Sequence, residues 1–123
     1  MITSVKLVGI CVKDQQRALD FYTQKLGFQV FTDVPFGPNS RWIEVRPLGA
    51  ETHLALWTPP GLENRIGTFS QIVFRTDDIQ ATYRDLVQKG IKFIEPPREQ
   101  GGGVMGQFLD AEGNIFVLRD GGE

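Results

Sequence analysis

Few residues in this chain are equipped for chemistry, and most lie in stretches that alternate like β-strands. His53 is the only histidine and Cys11 the only cysteine. His53 stands two residues before Ala55 and four before Trp57, so strand parity puts all three on one face. Two readings of His53 are open: a base or hydrogen-bond donor in a pocket, or a strand-end histidine in solvent beside Glu51 and Thr52. A lone histidine with no predictable partner is not a site, so the second is preferred. Cys11 has no predictable cationic neighbour to lower its pKa and reads as structural filler. Gln71 shares a face with Phe69, Val73 and Arg75, where a polar group either orients a ligand or pairs with a neighbouring strand. Trp42, Trp57 and Phe69 offer faces on which a flat ligand could stack, or plain core packing. Among the strand arginines Arg41, Arg46, Arg75 and Arg119, the last two share parity with Gln71 and Val117. They could hold a carboxylate or phosphate, although pairing with Glu44, Asp77 or Asp120 is the simpler expectation.

The elements that must position these residues come in two similar sets. Residues 3–12 alternate and are β-branched, which predicts a strand. Asp14 can cap a helix over 15–26 whose Ala18, Leu19, Tyr22 and Leu26 share a face, and Gly27 ends it. Strands over 28–34, 41–46 and 52–58 follow, separated by turn formers. Residues 59–67, PPGLENRIG, read as a linker. The order then repeats: a strand over 69–76, and a helix capped by Asp78 with Ile79, Tyr83, Leu86 and Val87 on one face. A strand over 91–94 stops at Pro96–Pro97, and strands over 104–109 and 114–119 close the set. Leu7 corresponds to Gln71, Asp14 to Asp78 and Gly27 to Gly90, the last with a one-residue slip. This predicts an α+β fold of two βαβββ modules in one domain over 1–123: module one about 3–58, linker 59–67, module two about 68–120. A concave mixed sheet surface is the expected place for a small ligand.

Bulk properties exclude several functions. The chain has 123 residues, 41% apolar and 23% charged, with a net charge of −2. No basic stripe suits nucleic acid. No apolar run approaches the length of a membrane span, and the first residues read as a strand rather than a signal peptide. A single cysteine allows no internal disulfide, which fits a cytoplasmic location. The loop 99–103, EQGGG, lacks the Lys-Ser/Thr and the following helix of a phosphate-binding loop.

The stretches VKDQQRALDFYTQKLGFQV, FRTDDIQATYRDLVQKGIKF and FLDAEGNIFVL resemble the signature segments of the vicinal oxygen chelate superfamily, the glyoxalase, bleomycin-resistance and extradiol dioxygenase group. Ala111 stands where proline is usual in the closing turn. The resemblance implies a metal held by one residue on the first and one on the last strand of each module. Those positions fall on Leu7, Ala55, Gln71 and Val117. Only Gln71 could ligate, and only weakly; the other three have no lone pair. No metal and no cofactor are therefore expected. The resemblance further implies a homodimer, and a mobile lid at the glycine loop. The leading expectation is a metal-free protein binding a small, partly aromatic molecule on a face lined by Leu7, Trp42, Trp57, Phe69, Gln71 and Val117, with His53 and Arg75 as polar contacts. The alternative is an enzyme: a glyoxalase-like lyase or isomerase, or a dioxygenase-type enzyme, with an atypical metal or none.

Overall fold

The computed structural model describes residues 1–121. It contains two compact units, residues 1–67 and the segment beginning at Thr68.

The first unit comprises β1 (Leu7–Ile10), α1 (Gln15–Asp20), β2 (Gln29–Pro35), β3 (Arg41–Arg46) and β4 (His53–Leu56). Its sheet has the order β1-β4-β3-β2, with β1 and β4 parallel and the remaining pairs antiparallel. Asp14 caps α1 by accepting from the Arg17 amide, satisfying one of the orphan donors of the first turn. The helix does not run regularly to residue 26. A π-helical turn over Phe21–Lys25 replaces its last part, with the Leu26 amide donating to the Phe21 carbonyl at 3.2 Å. The wider turn accompanies burial of two adjacent aromatics, Phe21 and Tyr22, where an ordinary amphipathic stripe would turn one of them outwards. They join Ile10, Val12, Ala18, Leu19, Ile43, Val45, Leu54 and Leu56 in the core.

The second unit comprises β5 (Phe69–Arg75), α2 (Ile79–Gln88), β6 (Phe93–Gln100), β7 (Gly103–Leu109) and β8 (Ile115–Arg119). The order β5-β8-β7-β6 repeats that of the first sheet. Asp78 caps α2 through the Ala81 amide. The core centres on Phe74, Phe108 and Phe116, whose rings stack with centroids 5.1–6.2 Å apart, and includes Ile79, Leu86, Ile91 and Leu118. Asp110 closes the β7–β8 turn by accepting from the amides of Glu112 and Asn114 and from the Asn114 side chain, all at 2.9 Å.

Three expectations are corrected here. The sixth strand does not stop at the prolines but runs through them to Gln100. It is an edge strand with two register breaks, and edges and bulges are where a missing N–H is tolerated. Gly106 makes the close approach possible, since a Cβ there would lie 2.9 Å from the Glu95 carbonyl oxygen. The glycine segment 99–103 is no open loop. Gln100 pairs with Gly103 across a tight turn at Gly101 and Gly102, both at positive φ. Val87, assigned to the buried helix face, is 45% exposed; the stripe that packs is Ile79 and Leu86.

Candidate ligand-binding face

The face of the first sheet opposite the buried side chains Ile43, Val45, Leu54 and Leu56 carries the chemistry. Glu44 pairs with Ala55 across β3 and β4, so Trp42, Glu44 and Arg46 share a face with His53 and Ala55. Leu7 lies beside His53, and Gly9 beside Ala55, in the parallel β1–β4 pair.

Glu44 and His53 are both buried, at 6% exposure each, and form a close pair, Nδ1 to Oε1, at 2.7 Å. The other Glu44 oxygen accepts from the Trp42 indole N–H, also at 2.7 Å. One carboxylate thus fixes an imidazole on one side and an indole on the other. Burial pushes the Glu44 carboxyl up. Hydrogen bonds from His53 and Trp42, aided by the charges of His53 and Lys6, outweigh it and hold the group below the ordinary carboxylate range. Phe31 packs on the imidazole with centroids 4.3 Å apart. It sits where the β2–β3 register skips a residue, between Val30 and Thr32, and a bulge of that kind re-aims a side chain. The Arg46 guanidinium lies 5.5 Å from the Phe31 centroid.

Beside this polar centre, Phe36, Trp42 and Trp57 form a ring cluster with centroids 5.5–5.6 Å apart. The turn between β2 and β3 presents Phe36, whose amide donates to the Ser40 carbonyl. The Trp57 amide donates to the Ile10 carbonyl. Gln15, in the first turn of α1, ties the strands together: its amide group donates to the carbonyls of Arg41 and Leu56 and accepts from the Arg41 amide. Phe31 and Phe36 remain 55% and 47% exposed. A Cβ built on Gly9 would meet nothing within 4 Å. The face therefore combines half-open aromatic rings, free space and one buried polar pair.

Leu7, Trp42, His53 and Trp57 all belong to this face. Phe69, Gln71, Arg75 and Val117 belong to the second unit. There Phe69 pairs with Ile115, Val73 with Val117 and Arg75 with Arg119. Gln71 sits in a register break and is the one non-glycine residue at positive φ (64°) among the described residues. Ser70 supports the break by donating to the Ile115 carbonyl and accepting from the Ile72 amide. The expectation of a solvent-facing His53 beside Glu51 and Thr52 is corrected: it is buried against Glu44 and Phe31. Glu44, Phe31 and Phe36 were missed. Glu44 carried no local signal, because between core residues Ile43 and Val45 alternation turns it to the opposite face, where a carboxylate is ordinarily solvated.

Leu7, Ala55 and Val117 offer no lone pair, so the residues present do not fit a metal at the superfamily positions. Among the described residues no group of three or more His, Cys, Asp or Glu side chains is placed to hold one. Among the described residues no helix is long and apolar enough to cross a membrane.

Two repeated βαβββ modules, each with a four-stranded mixed sheet, define a glyoxalase/bleomycin-resistance-type fold. The model of the Glyoxalase/Bleomycin resistance protein/Dioxygenase superfamily matches residues 4–118, and the chain belongs to that family. It is 37% identical to the uncharacterized protein YetH of Bacillus subtilis over 98% of this chain and all of that protein. A superfamily member from Sphaerobacter thermophilus shares 37% identity, with a TM-score of 0.89 over 97% of this chain and 98% of that one. TnmS3, an antibiotic-binding protein from Streptomyces sp. CB03234, shares 33% identity, with a TM-score of 0.84 over 97% and 96%.

Proposed function

We propose that this protein binds a small, partly aromatic molecule on the helix-free face of its first sheet, without a metal. The observation that carries the reading is the half-exposed cluster of Phe36, Trp42 and Trp57 beside open space at Gly9. Offset and edge-to-face arrangements are the favourable geometries for aromatic contacts, and one more flat ring extends them. The antibiotic-binding relative supports the same reading. On the second unit, taken by itself, Gln71 and Arg75 are proposed as polar ligand contacts and Phe69 and Val117 as apolar ones. Truncating Trp57 to Ala should weaken a planar aromatic ligand by about 1–3 kcal/mol, the range of a buried aromatic anchor. Fluorescence titration of the wild type and the variant measures this, and equal affinities would remove Trp57 from the site.

The purified protein is expected to hold no stoichiometric transition metal, because three of the four superfamily positions are aliphatic. Elemental analysis showing close to one Zn, Ni, Mn or Fe per chain after dialysis would reverse this. A cytoplasmic homodimer is proposed as the working form, closed two-fold pairing being the commonest assembly. Sedimentation at tens of micromolar tests the dimer, and a monomer mass would count against it.

One observation favours a second reading. Glu44 and His53 form a carboxylate–imidazole pair of the kind that positions a general base. On that reading the protein is a metal-independent lyase or isomerase that takes a proton from its bound substrate.

A further inference from the structure

We infer that His53 makes the binding face selective for ligands that donate a hydrogen bond, such as a phenol or an enol on a flat ring system, over ligands that only accept. The inference rests on the binding reading above and names the chemistry of its polar contact. Among the described residues the one hydrogen bond of the His53 imidazole is from Nδ1 to Glu44. No fully buried side-chain nitrogen or oxygen there lacks a partner, so Nε2, which has none, keeps a small exposed surface in an otherwise buried ring. Glu44 is ionised and accepts from Trp42 with its second oxygen. An ionised carboxylate can only accept, so Nδ1 carries the proton in the neutral imidazole. Nε2 is then left with its lone pair, and the tautomer at one nitrogen is set by the hydrogen bond at the other. Phe31 against the ring restricts its rotation.

The same geometry predicts how to reverse the preference. The indole N–H of Trp42 can only donate. In Glu44→Gln the amide oxygen is therefore committed to Trp42, and the amide NH2 is turned toward His53 Nδ1. Nδ1 must then accept, and the proton moves to Nε2. The ring that accepted from the ligand now donates to it.

The test uses the full chain at pH 8 and three probes of similar shape: 2-naphthol, 2-methoxynaphthalene and 2-acetylnaphthalene. Tryptophan fluorescence follows binding. The wild type should bind the naphthol about tenfold more tightly than its methyl ether, equivalent to about 1.4 kcal/mol. In Glu44→Gln that advantage should vanish, and the acetyl compound should gain relative to the naphthol. Equal affinities in the wild type, or a naphthol advantage unchanged in Glu44→Gln, would overturn the inference and leave aromatic binding intact. Failure of all three probes to bind would overturn both. Should the variant not fold, the wild type decides alone. His53 is the only histidine, so long-range 15N–1H spectra of labelled protein report one ring. A proton on Nδ1 and none on Nε2 supports the inference, and any other state contradicts it.

Discussion

Replacing His53 with alanine is expected to destabilise the fold by about 3 kcal/mol, the upper range for leaving a buried, charged acceptor without its hydrogen-bond partner. Glu44 would keep one side-chain donor, Trp42, while its other oxygen faced the hole left by the imidazole. The loss combines that uncompensated charge with the missing contact to Phe31. The double variant Glu44→Leu/His53→Leu should lose less than the two single leucine variants added together, because it removes both ends of the pair at once. Urea denaturation of the wild type and the four variants measures this. A loss under about 1 kcal/mol for His53→Ala would mean that water reaches the carboxylate freely.

The pair also predicts an acid limb. The folded-state pKa of Glu44 lies below the ordinary value, so its contribution to stability is present above the unfolded carboxylate pKa of about 4.3. It is lost as pH falls through the lower folded value. Glu44→Gln should therefore lose less stability than the wild type between about pH 5 and the acid end. Parallel acid slopes for the two proteins would assign the transition to other carboxylates.

Phe116→Ala is expected to cost about 3–5 kcal/mol, the range for emptying a buried aromatic site. Phe116 has no exposed surface, and its ring stacks on both Phe74 and Phe108. Rigid strands on either side limit how far the cavity can collapse, which places the cost at the upper end for core truncations. Phe116→Leu should recover more than half of the loss. Thermal or urea unfolding decides, and a cost below about 1.5 kcal/mol would show that the second unit repacks freely.

The carboxylate–imidazole pair changes the balance between binding and catalysis. Judged by the metal positions, Leu7, Ala55 and Val117 argue for a binding protein. Judged by Glu44 and His53, a polar contact with proton-transfer capacity lies beside the aromatic cluster. Both readings use one face, and the donor-selective contact proposed for His53 is common to them. On the binding reading Nε2 would hold a phenol; on the catalytic reading a carbon acid held there would be a substrate.

Much of this molecule was legible in its residues. Period-2 alternation located the strands, and Asp14 and Asp78, each followed by an apolar helical stripe, located both helix starts. Parity alone placed His53 with Trp57, because alternation is a local property of an extended chain. The partnership of Glu44 with His53 was not legible. It depends on the register that sets Glu44 opposite Ala55 across a turn, and register emerges from the packing of the whole sheet. Phe31 reaches the imidazole through a bulge in β2, and the sixth strand passes two prolines because it lies at an edge facing Gly106. The positive φ of Gln71 is of the same kind, since it falls where the β5–β8 register breaks between Phe69 and Val73. Local pattern thus determined the elements and the faces they present. Tertiary structure decided which side chains meet on those faces, since such meetings depend on strand order, register and bulges that no single segment encodes.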